Sequence, residues 1–408
     1  MNAYFLLYSY VFVNCSDREA LLVHTEKGIS KVTDNIHFVN LFRKIPLPTH
    51  YYMLRVPNEL EADVSFMALL NELEAELFGE ILYTTEENRP IQFSPQVKIN
   101  NNTPLESEYL SSLNFDRSDF LAQAILDDIG THILDNVLEL SIYYSSLDRA
   151  TSGAPETACD QYAFPVVRDG IKKIKELDRI FENEYAKLLK VNFIVGDLDE
   201  EDSAYLQECI RNYELRGKTY LYITAEKHPQ LPSALTDLCE EVYVWHADPA
   251  SVGETRKENE TNYFLAQNEE ELLSVENEEA VDEVYPLYNG SNLDFMKTYL
   301  SYSREEVLKN EITEREIFMN KYINTNFYGE LSVNPEGEVF SCKNNESLGN
   351  IQTDSLKKIV LNEYCKHRNW FLTRNRMPGC KDCVYNWVCP PVTGNELAIG
   401  HWTFCEKP

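Results

Sequence analysis

The chain is 408 residues long, 43% hydrophobic and 25% charged, which suffices for two or three domains with ordinary cores. Its formal net charge of −30 disfavours DNA, RNA and anionic lipid as partners, because each would be approached against repulsion. No apolar run approaches the roughly eighteen residues of a membrane span. The first residues lack the basic flank and cleavage site of a signal peptide, so a cytoplasmic protein is expected. In that reducing compartment the ten cysteines would not form a disulfide framework.

Residues 1–105 predict a small α+β domain. We expect a hairpin of two strands at 4–13 and 19–25, followed by a third strand at 29–33. Two helices are expected at 35–42 and 63–78. The first helix would begin at Asp34 as its N-cap. Such a unit is either a winged-helix-like module that receives an extended peptide along a strand edge or a plain structural domain.

Residues 106–325 predict an α/β body in which helices alternate with short apolar strands. Helices are expected at 120–134, 164–189, 204–215 and 235–240, followed by strands at 137–144, 191–195, 219–224 and 242–246. The alternation predicts a parallel sheet, either open or curved into a partial (β/α) barrel. The stretch 254–283, with eleven acids against two bases, is expected to be a solvated helix face or loop. A further helix is predicted at 293–308.

Residues 326–408 predict a cysteine-rich module that begins with a hairpin at 328–342. Four of its cysteines follow the pattern C-x2-C-x5-C-x15-C, namely Cys380, Cys383, Cys389 and Cys405. Thiols at this density converge to bind a soft metal centre, either an iron–sulfur cluster or tetrahedral zinc. Zinc ribbons usually pair two C-x2-C units, and this pattern contains one. The spacing therefore favours one [4Fe–4S] cluster, with zinc and no metal as alternatives.

The charge around these cysteines also favours a metal centre. Between residues 341 and 383 there are eight basic and four acidic residues, in a chain that is otherwise strongly acidic. Both a four-thiolate cluster and a four-thiolate zinc site are anionic, so the charge does not discriminate between them. His401 could hydrogen-bond near the centre or replace a thiol, and the other histidines show no metal-binding spacing. No P-loop, G-x-S-x-G or G-x-G-x-x-G motif is present.

The C-terminal sequence resembles a SPASM domain, the auxiliary-cluster module of radical-SAM peptide maturases. The resemblance lies in GEVFSC at 337–342, in LGNI at 348–351 and in the C-x2-C-x5-C pattern. Two positions that carry cysteines in that family are Asp354 and Thr393 here. The resemblance therefore implies one intact cluster, with Cys342 as an orphan thiol or a possible additional ligand.

The whole arrangement resembles the pseudo-radical-SAM proteins of ribosomal-peptide (RiPP) maturation systems. A true radical-SAM enzyme has C-x3-C-x2-C after its first barrel strand, because three thiolates leave one iron free for S-adenosylmethionine. Here the stretch after VLELSIYY contains Cys159 as its one thiol. The resemblance implies a non-catalytic partner that binds a precursor peptide, a radical-SAM maturase or both, without S-adenosylmethionine. Alternatives are an electron-transfer subunit for such a maturase and, less favoured, peptide modification by the chain itself.

Overall fold

The computed structural model describes residues 2–45, 52–85, 133–150, 158–183, 185, 187–212, 218–248, 251, 258–275, 280–341, 346–364, 369–400 and 405. The strands are β1 Asn2–Leu7, β2 Val11–Cys15, β3 Ala20–His24, β4 Ile29–Thr33, β5 Met53–Arg55, β6 Gly79–Thr84, β7 Glu139–Tyr143, β8 Leu147–Asp148, β9 Val167–Arg168, β10 Lys190–Val195, β11 Lys218–Thr224, β12 Glu241–His246, β13 Glu260–Ala266, β14 Glu283–Pro286, β15 Glu330–Val333, β16 Glu338–Phe340 and β17 Gly349–Asn350. The helices are α1 Ile36–Phe42, α2 Asn58–Glu61, α3 Val64–Ala75, α4 Ala158–Gln161, α5 Asp178–Phe181, α6 Glu200–Asn212, α7 Ser233–Thr236, α8 Glu269–Val275, α9 Leu293–Leu300, α10 Arg304–Lys309, α11 Glu314–Tyr322, α12 Leu356–Asn362 and α13 Gly394–Ile399.

The front region contains two antiparallel sheets of three strands, in the orders β5-β1-β6 and β2-β3-β4. The prediction of one strand over 4–13 is wrong, because a turn in which Val11 N donates to Tyr8 O (3.1 Å) separates β1 from β2. The N-cap prediction is also wrong. Asn35, not Asp34, caps α1, since its side chain accepts from the backbone N–H groups of His37 and Phe38.

The body and the C-terminal hairpin share one mixed sheet of nine strands, in the order β14-β13-β12-β11-β10-β7-β15-β16-β17. The strands from β14 to β15 are parallel, and β16 and β17 continue antiparallel. Strand β15 pairs with β7, which is the predicted first strand of the body. Within the described residues β14 and β17 are the two edges, so this sheet is open.

The predicted helix at 164–189 is wrong. Its described residues contain the short strand β9 and the single turn α5, because Phe164, Val166 and Val167 are buried against Trp245 in an aromatic cluster instead of following a helical stripe. The acidic stretch agrees with its prediction in part, since Glu269–Val275 forms the helix α8, whereas Glu260–Ala266 forms the strand β13. Most of the predicted helix at 120–134 lies outside the described residues.

Two apolar clusters explain how the regions join. The larger cluster lies between one face of the nine-stranded sheet and its helices, and it includes the fully buried Trp370. A smaller cluster joins the front sheet to the C-terminal cysteines through Phe12, Leu21 and Val384. Since these side chains are apolar and buried, the front region packs directly on the cysteine-rich module. No helix in the described part of the chain has the length and apolarity to cross a membrane.

The junction of β15 with β7 yields a stability prediction. Gly329 has φ +83°, and a Cβ there would lie 2.7 Å from Asn136 O. We expect Gly329→Ala to lower the free energy of unfolding by about 1–2 kcal/mol for the left-handed backbone and by about 1–3 kcal/mol more for the clash. The control is Gly290→Ala, which has φ +90° and no heavy atom within 4 Å of the added Cβ. Urea denaturation measures both variants, and equal losses would contradict the packing argument.

Candidate metal centre

Three of the predicted ligands lie in a stretch built from turns. We call residues 369–400 together with Cys405 the cysteine segment. Cys383 N donates to Cys380 O (3.0 Å) and Cys389 N donates to Tyr385 O (2.8 Å), so two successive turns fold these cysteines toward each other. Cys405 reaches the same place through a parallel β-bridge to Tyr302.

The four cysteines line one cavity. Cys380, Cys383, Cys389 and Cys405 surround a space of about 40 Å³, with Arg374 in its wall. A second cavity of about 250 Å³ shares three of these cysteines and extends to the β2–β3 turn of the front region. Among the described residues, no three His, Cys, Asp or Glu side chains meet the spacing of a single metal-ion site.

Burial dominates the ionisation of the inner thiols. Cys380 is 8% exposed, whereas Cys405 is exposed. Desolvation raises the pKa of the thiols of Cys380, Cys383 and Cys389, to about 12 for Cys389. The Arg374 guanidinium opposes this rise in pKa at Cys380 and Cys389 because it favours the thiolate. The site thus combines buried sulfur with a fixed positive charge, which suits an anionic thiolate-bound group.

Arg374 is held by a buried ion pair. Its Nη1 and Nη2 donate to the two carboxylate oxygens of Glu396, at 2.5 and 3.0 Å, and the two side chains are 9% and 3% exposed. Its Nε donates to Pro390 O (2.7 Å), directly after Cys389. Glu396 also accepts from Thr393 N (2.9 Å) and completes a capping box at the start of α13. One guanidinium therefore connects two cysteine turns to the helix that precedes Cys405.

Side-chain amides hold the C-x2-C turn. Asn386 is 4% exposed, and its Nδ2 donates to Cys380 O (3.3 Å) and Lys381 O (3.2 Å). Asn14, in strand β2, donates from Nδ2 to Val384 O and to Asn386 Oδ1, both at 2.8 Å. The front region consequently fixes the cysteine turn through hydrogen bonds as well as through apolar packing.

A second amide group fixes the rest of the segment. Asn324 is fully buried, and its Nδ2 donates to Leu372 O and Val392 O, each at 3.0 Å. Asn320 Nδ2 donates to Trp387 O (3.0 Å). These bonds satisfy backbone carbonyls that have no strand partner, which buried backbone requires.

The two positions that depart from the SPASM cysteine pattern have other structural roles. Asp354 accepts from Lys358 Nζ at 2.6 Å, next to the start of α12. Thr393 is the N-cap of α13, and its hydroxyl accepts from Glu396 N. Asp354 thus pairs with a lysine and Thr393 caps a helix, and a cysteine would be a weaker partner in either role.

The remaining predicted residues are not brought to this cavity. Cys342 and His401 lie outside the described residues. Cys159 lies in α4 and packs against the aromatic cluster beside the sheet. Helix α4 lies against α13, where Asn395 Nδ2 donates to the Tyr162 hydroxyl (3.1 Å).

Comparison with known proteins identifies the C-terminal region. Residues 326–384 match the family model of the SPASM iron–sulfur cluster-binding domain. This region of the chain is therefore similar to a SPASM domain. The matched stretch of that domain includes Cys380 and Cys383 and ends before Cys389 and Cys405. No curated protein matches the chain significantly. The crystal structure of selenomethionine BtrN in an open conformation is similar to this chain at 13% identity with a TM-score of 0.32, over 60% of this chain and 91% of that chain.

Several residues of the site have no sequence signal. The partners Arg374 and Glu396 are 22 positions apart, and Asn14 is 372 positions from Asn386. Tyr302 belongs to the connection between α9 and α10. Such pairs become visible once the fold is known, because neither local spacing nor composition links them.

The Arg374–Glu396 pair yields a prediction. Arg374→Met leaves a buried carboxylate without a counter-charge, so we expect the free energy of unfolding to fall by about 3–5 kcal/mol. The double variant Arg374→Met/Glu396→Gln should recover most of that loss, because glutamine keeps the capping box without a charge. Urea denaturation of both variants and of Glu396→Gln completes a double-mutant cycle. Additive losses would contradict a direct pairing.

Proposed function

We propose that this protein is a non-catalytic iron–sulfur partner in ribosomal-peptide maturation. Cys380, Cys383, Cys389 and Cys405 bind one [4Fe–4S] cluster in this proposal. The observation that carries this proposal is that the four cysteines line one cavity. The end of the stretch that matches the SPASM model, residues 326–384, contributes Cys380 and Cys383 to that cavity. Four thiolates around a shared space suit a cluster in which each iron takes one protein ligand.

Arg374 supports the cluster assignment. A four-thiolate cluster is anionic, and a nearby cation with hydrogen bonds to sulfur stabilises it and adjusts its potential. Arg374 supplies that charge at Cys380, where its side chain hydrogen-bonds to the thiol. When bound, the cluster supplies either a structural centre or one-electron redox chemistry. The residues of this chain hold it, bury the Cys380 ligand and set its charge environment.

The second part of the proposal is that the protein does not cleave S-adenosylmethionine. Cleavage requires three thiolates after the first strand of the body, and residues 145–162 contain one cysteine, Cys159. Helix α4 packs on α13 at this place, with Gly394 so close to Gln161 O that an added Cβ would be 3.1 Å away. We therefore propose that the body supports binding and that chemistry belongs to a partner maturase.

The front region is the proposed contact for the precursor peptide. An extended peptide can add to an exposed strand edge and obtain main-chain hydrogen bonds there. Strand β4 is such an edge, because within the described residues it pairs with β3 alone and its residues are half-buried or exposed. Its sheet packs on the cysteine segment, so a peptide bound to β4 lies on the same side of the molecule as the cluster-binding module.

A second candidate function is electron transfer to a maturase. The observation that favours it is the exposure of Cys405 together with the 250 Å³ cavity, which reaches three of the cysteines. A cluster with an exposed ligand can exchange electrons with a docked partner. A scaffold would need no such access.

Metal analysis tests the cluster assignment. Anaerobic reconstitution should give about four irons and about four sulfides per chain. Cys389→Ala should lose most of this iron, whereas Cys239→Ala should retain it, because Cys239 is buried in the body core away from the site. A single cluster at these four cysteines would be contradicted by zinc in place of iron or by about eight irons per chain. Equal loss of iron in Cys389→Ala and Cys239→Ala would also contradict it.

Cys383→Ala separates the two functional candidates. A pull-down measures binding of the precursor peptide and of the maturase, and a turnover assay measures modified peptide. If the cluster is structural, we expect binding and turnover to fall together. If the cluster transfers electrons, binding should persist while turnover is lost. Failure of the wild-type protein to retain either partner would overturn the partner role itself.

A further inference from the structure

One face of the nine-stranded sheet carries a row of aromatic side chains that the cluster does not use. We call Tyr220, Tyr222, Tyr243, Trp245, Tyr263 and Tyr285 the tyrosine face. In parallel strands, paired residues point to the same side of the sheet. The register pairs Tyr222 with Tyr243 and Trp245 with Tyr263, which places these residues on one side. Helices α6 and α7 pack on the opposite side, against the larger apolar cluster.

The aromatic rings form a continuous surface. Tyr220 and Tyr243 stack with centroids 5.8 Å apart at 13°, and Tyr263 and Tyr285 stack at 5.3 Å and 27°. Trp245 is buried between them at 4% exposure, whereas the four stacked tyrosines are half-buried. Ring faces near the solvent attract cations through their quadrupoles.

The structure already places a cation on this surface. Lys190 Nζ lies 5.0 Å from the ring centroid of Tyr220 and 3.3 Å from a carboxylate oxygen of Glu139. An ammonium group is thus bound by one tyrosine ring and one carboxylate on the same sheet face. Glu241 and Glu283 offer further carboxylates beside Tyr243 and Tyr285.

A buried acceptor beside Tyr220 is without a partner. Asn192 is 1% exposed, and it is the register neighbour of Tyr220. Its Nδ2 donates to Ser141 Oγ (3.0 Å) and to Glu139, while its Oδ1 has no hydrogen-bond partner among the described residues. An unpaired buried amide oxygen is costly, and this cost lies directly beneath the aromatic row.

A cavity adjoins the face where β11 and β12 begin. It measures about 540 Å³ and is lined by Tyr220 and Glu241, with further carboxylates from Asp237, Glu240 and Glu258. Lys218 is the one basic residue among its described lining residues, and it pairs with Glu240 at 2.7 Å. The cavity is therefore net acidic beside an aromatic wall, within a chain of net charge −30.

We propose that the tyrosine face and this cavity form a docking site for an extended peptide that carries lysine or arginine. Ring faces bind its cations, and the carboxylates around the cavity neutralise them. The inference rests on the proposed function for the nature of the partner, and it adds a contact surface separate from β4 and from the cysteines. Charge complementarity selects a basic peptide over an acidic one.

Fluorescence anisotropy tests the site with a labelled decapeptide of alternating lysine and threonine. Its acetyl-lysine counterpart removes the charge without changing the backbone. We expect the lysine peptide to bind to the wild-type protein and the acetylated peptide to bind more weakly. Tyr220→Leu and Glu241→Gln should each weaken binding by on the order of fivefold, since the first removes an aromatic wall of the cavity and the second removes one of its carboxylates.

Matched controls separate a site from general attraction to an acidic protein. Tyr83→Leu changes a tyrosine that is 59% exposed in β6, and Glu270→Gln removes one charge from α8. Both should bind like wild type. The proposal would be overturned if Glu241→Gln and Glu270→Gln weakened binding of the lysine peptide equally. It would also be overturned if Tyr220→Leu bound the peptide like wild type, or if the wild-type protein did not bind it. If circular dichroism shows that Tyr220→Leu is unfolded, Tyr263→Leu is measured in its place. Iron content, measured in parallel, distinguishes failure of this site from failure of the cluster assignment.

Discussion

The hydrogen bonding of one irregular stretch determines the rest of this architecture. The cysteine segment folds back on itself in turns, and its buried carbonyl groups have no neighbouring strand to pair with. Asparagine amides supply the donors instead, from β2, from α11 and from the connection that follows it. Because an unpaired buried carbonyl costs about as much as a lost hydrogen bond, removing these amides would release the turns that carry the thiols.

The nine-stranded sheet gives those amides a fixed frame. Strand β15 pairs in parallel with β7, so the hairpin at the start of the region that matches the SPASM model extends the body's own sheet. Trp370, at the start of the cysteine segment, is fully buried, and its indole N–H donates to Glu330 O (2.9 Å). The start of the cysteine segment is therefore anchored in the core of the body.

Much of the sheet was predictable from sequence, and the reasons are local. The strands at Lys190–Val195, Lys218–Thr224 and Glu241–His246 are short apolar runs between turns, which is the pattern of buried parallel strands. The expected helix at 164–189 failed because its apolar residues face an aromatic cluster formed by distant strands. The cysteine pattern indicated a metal centre, but the Arg374–Glu396 pair and the Asn14 contact depend on long-range packing that no spacing encodes.

The contact of Asn14 with the cysteine turn has a thermodynamic consequence. The same backbone that would present Cys380 and Cys383 to a cluster is held by strand β2 of the front region. Two events that stabilise one conformation of a shared element are linked reciprocally, so each raises the affinity of the other by the same factor. If the proposed peptide orders the front sheet, it would raise the affinity of the chain for the proposed cluster, and binding of that cluster would raise the affinity of the front sheet for the peptide.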